Sequence, residues 1–206
     1  MPAATPNLLT RALEAGPAPG GDEVHERILD AALVEAEASG IERITMDAVA
    51  ARAKVGRMTV YRRFGSKEEL TAALTRREAT AGLARIAAAV DHAKPIPAQV
   101  ADGFVAALAT ARSHPLVQRL ARFEPEVLLA SLNDPRDPLF AMLRGFVAAQ
   151  IRATAGAELR ADPDEAAEIL VRIGLSYLLI PNGIVDVGDE VAARRLAETL
   201  IAPIVI

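Results

Sequence analysis

Apolar positions along this chain recur every three to four residues and predict helices throughout, so the fold class is all-α. A first helix starts near Asp22 or Glu23, carries Ile28, Leu29, Ala32, Leu33 and Ala36 on one face, and ends at Gly40. Two short helices follow, one from Thr45 to Ala53 and one from Arg57 to Phe64, with Lys54-Val55-Gly56 as the turn between them. Gly65 breaks the second, and Ser66-Lys67-Glu68-Glu69 is a capping box that opens a long helix to about Val90. That helix would be roughly 35–40 Å long. Pro95 and Pro97 close the segment. Further helices are predicted over Ala98–Arg112, from Pro115 to Phe123, over Pro125–Leu132, over Leu139–Ala155, from an Asp162 cap to Ile180, and over Asp189–Ala202. The last of these places Ala193, Leu196, Ala197, Leu200 and Ile201 on one apolar face. Asn133 to Pro138 reads as a turn cluster, and residues 1–21, with four Pro and three Gly, read as a disordered leader.

Helix, tight turn and helix at Thr45–Phe64 is the geometry that puts its second helix into the major groove of DNA. From Arg52 to Lys67 there are six bases (Arg52, Lys54, Arg57, Arg62, Arg63, Lys67) and no acid, in a chain of net charge −4. Such a local reversal of sign is the footprint of a phosphate-binding face. The reversal is confined: residues 43–77 carry nine bases and three acids, whereas residues 79–206 carry twelve bases and fifteen acids. Arg57 and Thr59 stand near the start of the reading helix, where an arginine can bridge guanine O6 and N7. Met58 beside them can pack on a thymine methyl. Lys67 and the first amides of the long helix form a site for an anion. Arg62 and Arg63 point in different directions, and Arg62 is the one expected to reach DNA. Phe64 is expected in the core.

The string from Val55 to Leu70, above all Thr59-Val60-Tyr61 followed by Phe64 and Ser66-Lys67-Glu68, resembles the DNA-binding domain of the TetR family of bacterial repressors. The Thr45-Met46-Asp47-Ala48-Val49-Ala50 helix ahead of it strengthens the likeness, which covers roughly residues 23–74. The resemblance implies a homodimeric repressor that binds a palindromic double-stranded operator, with Tyr61 and Thr45 touching phosphate through their hydroxyls. It implies an N-terminal helix-turn-helix domain over residues 22–74 and a helical ligand-binding and dimerisation domain over residues 75–206, joined by the helix at 66–90. Lys54 departs from the glycine usual in this turn; a lysine held left-handed there costs about 1 kcal/mol and can add a phosphate contact.

Composition narrows the alternatives. With no cysteine there are no disulfides or thiolate metal sites, which suits a reducing cytoplasm. The longest strongly apolar run, Ile173–Ile180, is far short of the ~20 residues of a membrane span. His25, His92 and His114 fall in different elements, so no metal or other cofactor is expected. No nucleophile elbow or phosphate-cradling loop is present, and nothing supports catalysis.

The segment Ile169–Ile180 is apolar nearly all round, with only Arg172 charged, and needs cover on two sides. With the final helix it predicts a two-fold bundle through residues 164–180 and 189–204, as the family resemblance implies. A second apolar set, Ile86, Phe104, Leu108, Leu120, Phe123, Leu143, Phe146, Val147 and Tyr177, either forms an ordinary core or lines a cavity for a small, mainly apolar effector. Gln150, Glu124, Tyr177 and Asn182 are the polar groups that would orient it. The rival reading is a DNA-binding protein that senses nothing, whose second domain only dimerises.

Overall fold

The computed structural model describes residues 23–134, 139–155 and 159–206, and their regular structure is entirely helical. The proposed leader and the Pro135–Pro138 part of the turn cluster lie outside the described residues. The N-terminal part comprises α1 (Glu23–Ser39), a 3₁₀ turn (Ile41–Arg43), α2 (Met46–Ala53), α3 (Arg57–Phe64) and α4 (Lys67–Ala89). Both predicted caps form: Thr45 Oγ1 accepts from Ala48 N at 3.1 Å, and Ser66 Oγ accepts from Glu69 N at 3.2 Å. The Ser66 N–H goes to the Phe64 carbonyl at 2.7 Å rather than completing the reciprocal half of a capping box. Lys54 is left-handed at φ 54°, which costs about 1 kcal/mol for a residue with a Cβ. The α1 face packs Ile28, Leu29, Ala31, Ala32 and Ala36 against Val49, Val60, Phe64, Leu70 and Leu74, a filled apolar core that fixes α3 on its outer side.

The second part comprises α5 (Ile96–Ser113), α6 (Pro115–Phe123), α7 (Pro125–Asn133), α8 (Leu139–Ala155), α9 (Pro163–Leu179), α10 (Glu190–Leu196), a π segment (Ala197–Ile201) and α11 (Ala202–Val205). Two details differ from the sequence reading. Helix α5 begins at Ile96 rather than Ala98, because Pro97 falls in the first turn, where a missing N–H costs nothing. The terminal helix does not stop at Ala202 but runs through Pro203 after widening into π geometry. Proline cannot donate to, and crowds, the carbonyl four residues back, and a wider turn ahead of it relieves both problems. In a wider turn each residue rotates through a smaller angle. Ala193, Leu196, Ala197 and Ile201 therefore stay buried while Leu200, expected on the same face, turns outward and is 66% exposed.

Helix α5 is the axle of this part. Its Ala101, Phe104 and Leu108 pack on Val187, Ala193, Leu196, Ala197 and Ile201, while Ala148, Ile151, Ala166, Ala167 and Val205 form a separate cluster around α8 and α9. Asp102, its side chain 4% exposed, clamps α5 to α10: Oδ1 accepts from Arg194 Nη1 at 2.7 Å and Oδ2 from Lys94 Nζ at 2.9 Å. Burial alone would push this carboxyl up, but the hydrogen bonds from Lys94 and Arg194 outweigh it and hold the group below its ordinary value.

The two parts share a core. Leu116 of α6 is buried in the N-terminal cluster and Leu120 packs against it. Around this seam, Arg77 of α4 pairs with Asp30 at 2.8 Å, Glu26 at 3.3 Å and Glu78 at 2.7 Å, and Glu78 meets His114 Nε2 at 3.1 Å. Burial pushes the Glu78 carboxyl up; His114 and Arg77 more than reverse that. Arg119 of α6 reaches the Glu37 carbonyl at 3.5 Å and Glu124 at 3.3 Å. Gly40, at φ 102°, lies beneath Glu124, and a Cβ there would come within 2.1 Å of Oε1. At that positive φ, glycine closes α1 without strain.

Candidate nucleic-acid interface

Helix α3 presents a polar outer face because its apolar residues, Val60 and Phe64, are spent on the core. Tyr61 is half-buried against that core, and Phe64 stacks on His25 with ring centroids 4.7 Å apart. Arg57, Met58 and Arg62 are exposed, Met58 to 75%, and Thr59 is half-buried. Thr45 and Lys54, at the two ends of α2, are exposed, whereas Arg63 is half-buried and lines a cleft with Phe64. Arg62 and Arg63 thus leave the helix in different directions, as their angular separation requires.

The face is less freely basic than the run of six bases implied. Acids from outside that run reach into it: Arg52 Nε meets Glu35 of α1 at 2.6 Å, and Arg57 Nε meets Asp47 of α2 at 3.1 Å. Arg57 also lies over the Tyr61 ring, 5.3 Å from its centroid, with Nη2 donating to Oη at 3.4 Å. The Tyr61 hydrogen bond first, and then the Asp47 charge, raise the Arg57 pKa. Lys67 donates to the Glu42 carbonyl, tying the start of α4 to the 3₁₀ turn. The anion site expected at the α4 N-terminus is partly taken by the chain itself: the backbone and Ser66 hydrogen bonds lower the Glu68 carboxyl below its ordinary range.

Asp47 is the participant that sequence reasoning missed. Its place in the first turn of α2 already had an explanation, a charge matched to the helix dipole. The signal that could have found it is the turn length, since three residues between helices fold the first turn of α2 across the first turn of α3.

The predicted effector set does not come together as one lining. Phe104, Leu108 and Tyr177 pack on one another, with Phe104 and Tyr177 edge-to-face at 6.4 Å. Leu120 belongs to the seam with the DNA-binding core, and Phe123 is 66% exposed beneath the Arg122 guanidinium. Glu124 is engaged at the same seam and Asn182 is exposed. The apolar face of α6 is turned to the N-terminal core, where Leu116 and Leu120 pack, and Phe123 at its last residue lies beyond that core. Phe146 is buried, and Ile86, Leu143, Val147 and Gln150 are half-buried on α4 and α8, which pack together. A cleft of about 490 Å³ opens elsewhere, between α1 and α4, and none of the predicted effector residues line it. Among the described residues no three His, Cys, Asp or Glu side chains are grouped to hold a metal, and no helix is long and apolar enough to cross a membrane.

A three-helix reader whose outer helix offers arginine, methionine and threonine, carried on an α-helical second domain, defines a DNA-binding transcriptional regulator of the helix-turn-helix class. Residues 28–74 match the bacterial regulatory proteins of the tetR family, so the reader is a TetR-family DNA-binding domain. The remainder continues in the fold of those repressors. The repressor AlkX from Dietzia sp. strain DQ12-45-1b, implicated in biodegradation of n-alkanes, is 24% identical, with a TM-score of 0.64 over 90% of this chain and 96% of that one. The repressor QsdR from R. erythropolis is 25% identical, with a TM-score of 0.59 over 90% and 95%. The multidrug binding protein EbrR, solved with imidazole, is 26% identical, with a TM-score of 0.61 over 92% and 97%. No curated protein matches the chain. The proteins it resembles in family and fold are transcriptional regulators, not enzymes.

Proposed function

We propose that this protein is a homodimeric repressor that holds a palindromic operator through α3 and releases it on binding a small, mainly apolar effector. The observation that carries the reading is the outer face of α3, where Arg57, Met58 and Arg62 stand exposed on a helix whose other side is locked into a filled core. Thr45, Lys54, Thr59, Tyr61 and Lys67 complete the proposed contact set, with the two hydroxyls of Thr45 and Tyr61 and the ammonium groups directed to phosphates. Dimerisation is supported by Ile169 of α9, Ile180 at its C-cap, and Val191 and Leu200 of the C-terminal segment, which are exposed while the opposite sides of both elements are buried. Half-site centres are expected about one helical turn apart, ~34–36 Å, or a multiple of it. The test is site selection from randomised duplexes followed by titration at several salt concentrations. Arg57→Ala should relax one base pair per half-site by about 1–3 kcal/mol, while Tyr61→Phe and Lys67→Ala weaken all sequences alike. An unchanged preference in the Arg57 variant removes it from the reading set.

The effector part of the proposal is supported by the half-buried Ile86, Leu143, Val147 and Gln150, and by the multidrug binding described for EbrR. A second reading, dimerisation without sensing, is favoured by Phe104, Leu108 and Tyr177 filling one another's space. Val147→Trp separates the two. Beside a cavity the indole occupies effector space and lowers operator affinity by about 5–150-fold with unchanged melting. In a filled core it overpacks, destabilising the fold by about 1–3 kcal/mol.

A further inference from the structure

We propose that Asp47 is a positioning residue that gives Arg57 its base preference. The proposal rests on the major-groove reading of α3 and concerns how that reading is made selective. An arginine at the front of a reading helix has many rotamers, and the dense negative charge of a duplex draws it to phosphates, which carry no sequence information. Here the side chain is held at three points: Nε on Asp47 Oδ1 at 3.1 Å, Nη2 on Tyr61 Oη at 3.4 Å, and the guanidinium face over the Tyr61 ring at 5.3 Å.

Counting donors shows what the arrangement leaves. Guanidinium has five N–H groups. Tyr61 takes one hydrogen of Nη2 and the Asp47 ion pair draws the Nε edge toward α2, so Nη1 and the other hydrogen of Nη2 remain at the tip, and such a pair matches guanine O6 and N7. The exposed pair adds little to the stability of the free protein. Docking changes its weight, because a duplex seated on α3 strips water from both partners. Asp47 then acts twice. It fixes the fork toward the bases, and its own charge penalises any pose that swings the Arg57 guanidinium away onto a phosphate, a repulsive element of the kind that specificity needs.

The experiment uses the full-length protein and its selected operator. The wild type, Asp47→Asn, Arg57→Ala and the double variant are titrated against the operator and against the same duplex altered only at the base pair that Arg57→Ala relaxes. Asp47 is exposed, so melting should fall by no more than the small helix-dipole contribution, and Asp47→Glu should keep most of the preference. The expected result is that Asp47→Asn lowers the ratio of the two affinities by about tenfold while general affinity holds or rises. In the Arg57→Ala background the same change should leave the ratio untouched. The proposal is overturned if Asp47→Asn tightens both duplexes equally with the ratio unchanged, since Asp47 would then be only a general repulsive charge. It is also overturned if the preference moves at a different base pair, which would make Asp47 a direct reader. A wild type that selects no site at all would instead sink the groove reading, a distinct outcome.

Discussion

Leu200→Asp should leave a folded monomer that no longer holds a palindromic operator. Leu200 is turned outward by the π segment, and its neighbours on the inner face, Leu196, Ala197 and Ile201, are buried without it. The substitution therefore spares the subunit core. In the proposed two-fold interface the change occurs twice, and each carboxylate would have to be buried without a partner, at a cost of several kcal/mol. The leucine burial itself, about 1.5–3 kcal/mol per copy, is lost as well. A monomer meets one half-site at a time and forfeits the linked second contact, so operator affinity should fall by about 10²–10⁴-fold. Sedimentation mass and circular dichroism read the first two expectations, and operator titration reads the third. A dimer of normal mass that still binds operator would move the interface away from α9 and the C-terminal segment.

Asp102→Asn should cost about 3 kcal/mol at neutral pH. Removing one partner of a buried pair costs about 3–5 kcal/mol, and the lower end applies because Lys94 and Arg194 keep access to water when abandoned. The pH dependence has a definite sign. The folded-state pKa of Asp102 is lowered, so its contribution is present above the unfolded value of about 4 and disappears as pH falls through that value toward the folded one. Urea midpoints of wild type and variant should therefore lie farther apart at pH 6 than in acid. A constant gap down to pH 3 would mean that packing, and not the charge, holds α10 to α5.

The reader was legible because its signals are local. Thr45 and Ser66 carry their caps in their own side chains, Gly65 stops α3, and the bounds Arg57–Phe64 follow from neighbours within four residues. Leu120 and Phe123 show where such reasoning ends. Periodicity marks both as apolar, yet whether a short helix turns them toward α1, toward α8 or toward water depends on contacts nearly a hundred residues apart along the chain. Leu200 was misplaced for a related reason, since counting by 3.6 assumes an unbroken α-helix and Pro203 perturbs the turn before it. The ion pairs of the DNA-facing surface were hidden for the same reason: Glu35 and Asp47 lie outside the basic run in sequence but beside Arg52 and Arg57 in space.

The seam at Leu116 sets what can be exchanged between proteins of this build. A chimera cut after α4, grafting this reader onto a foreign second domain, would carry α1 away from the leucine that seals its underside and would leave Gly40 facing whatever replaced Glu124. Such a graft should express poorly unless Leu116, Leu120 and Glu124 travel with it. The outer face of α3 touches none of these residues. On the proposed reading, operator preference should therefore yield to a few substitutions on α3 and at Asp47, whereas wholesale domain shuffling needs a matching seam.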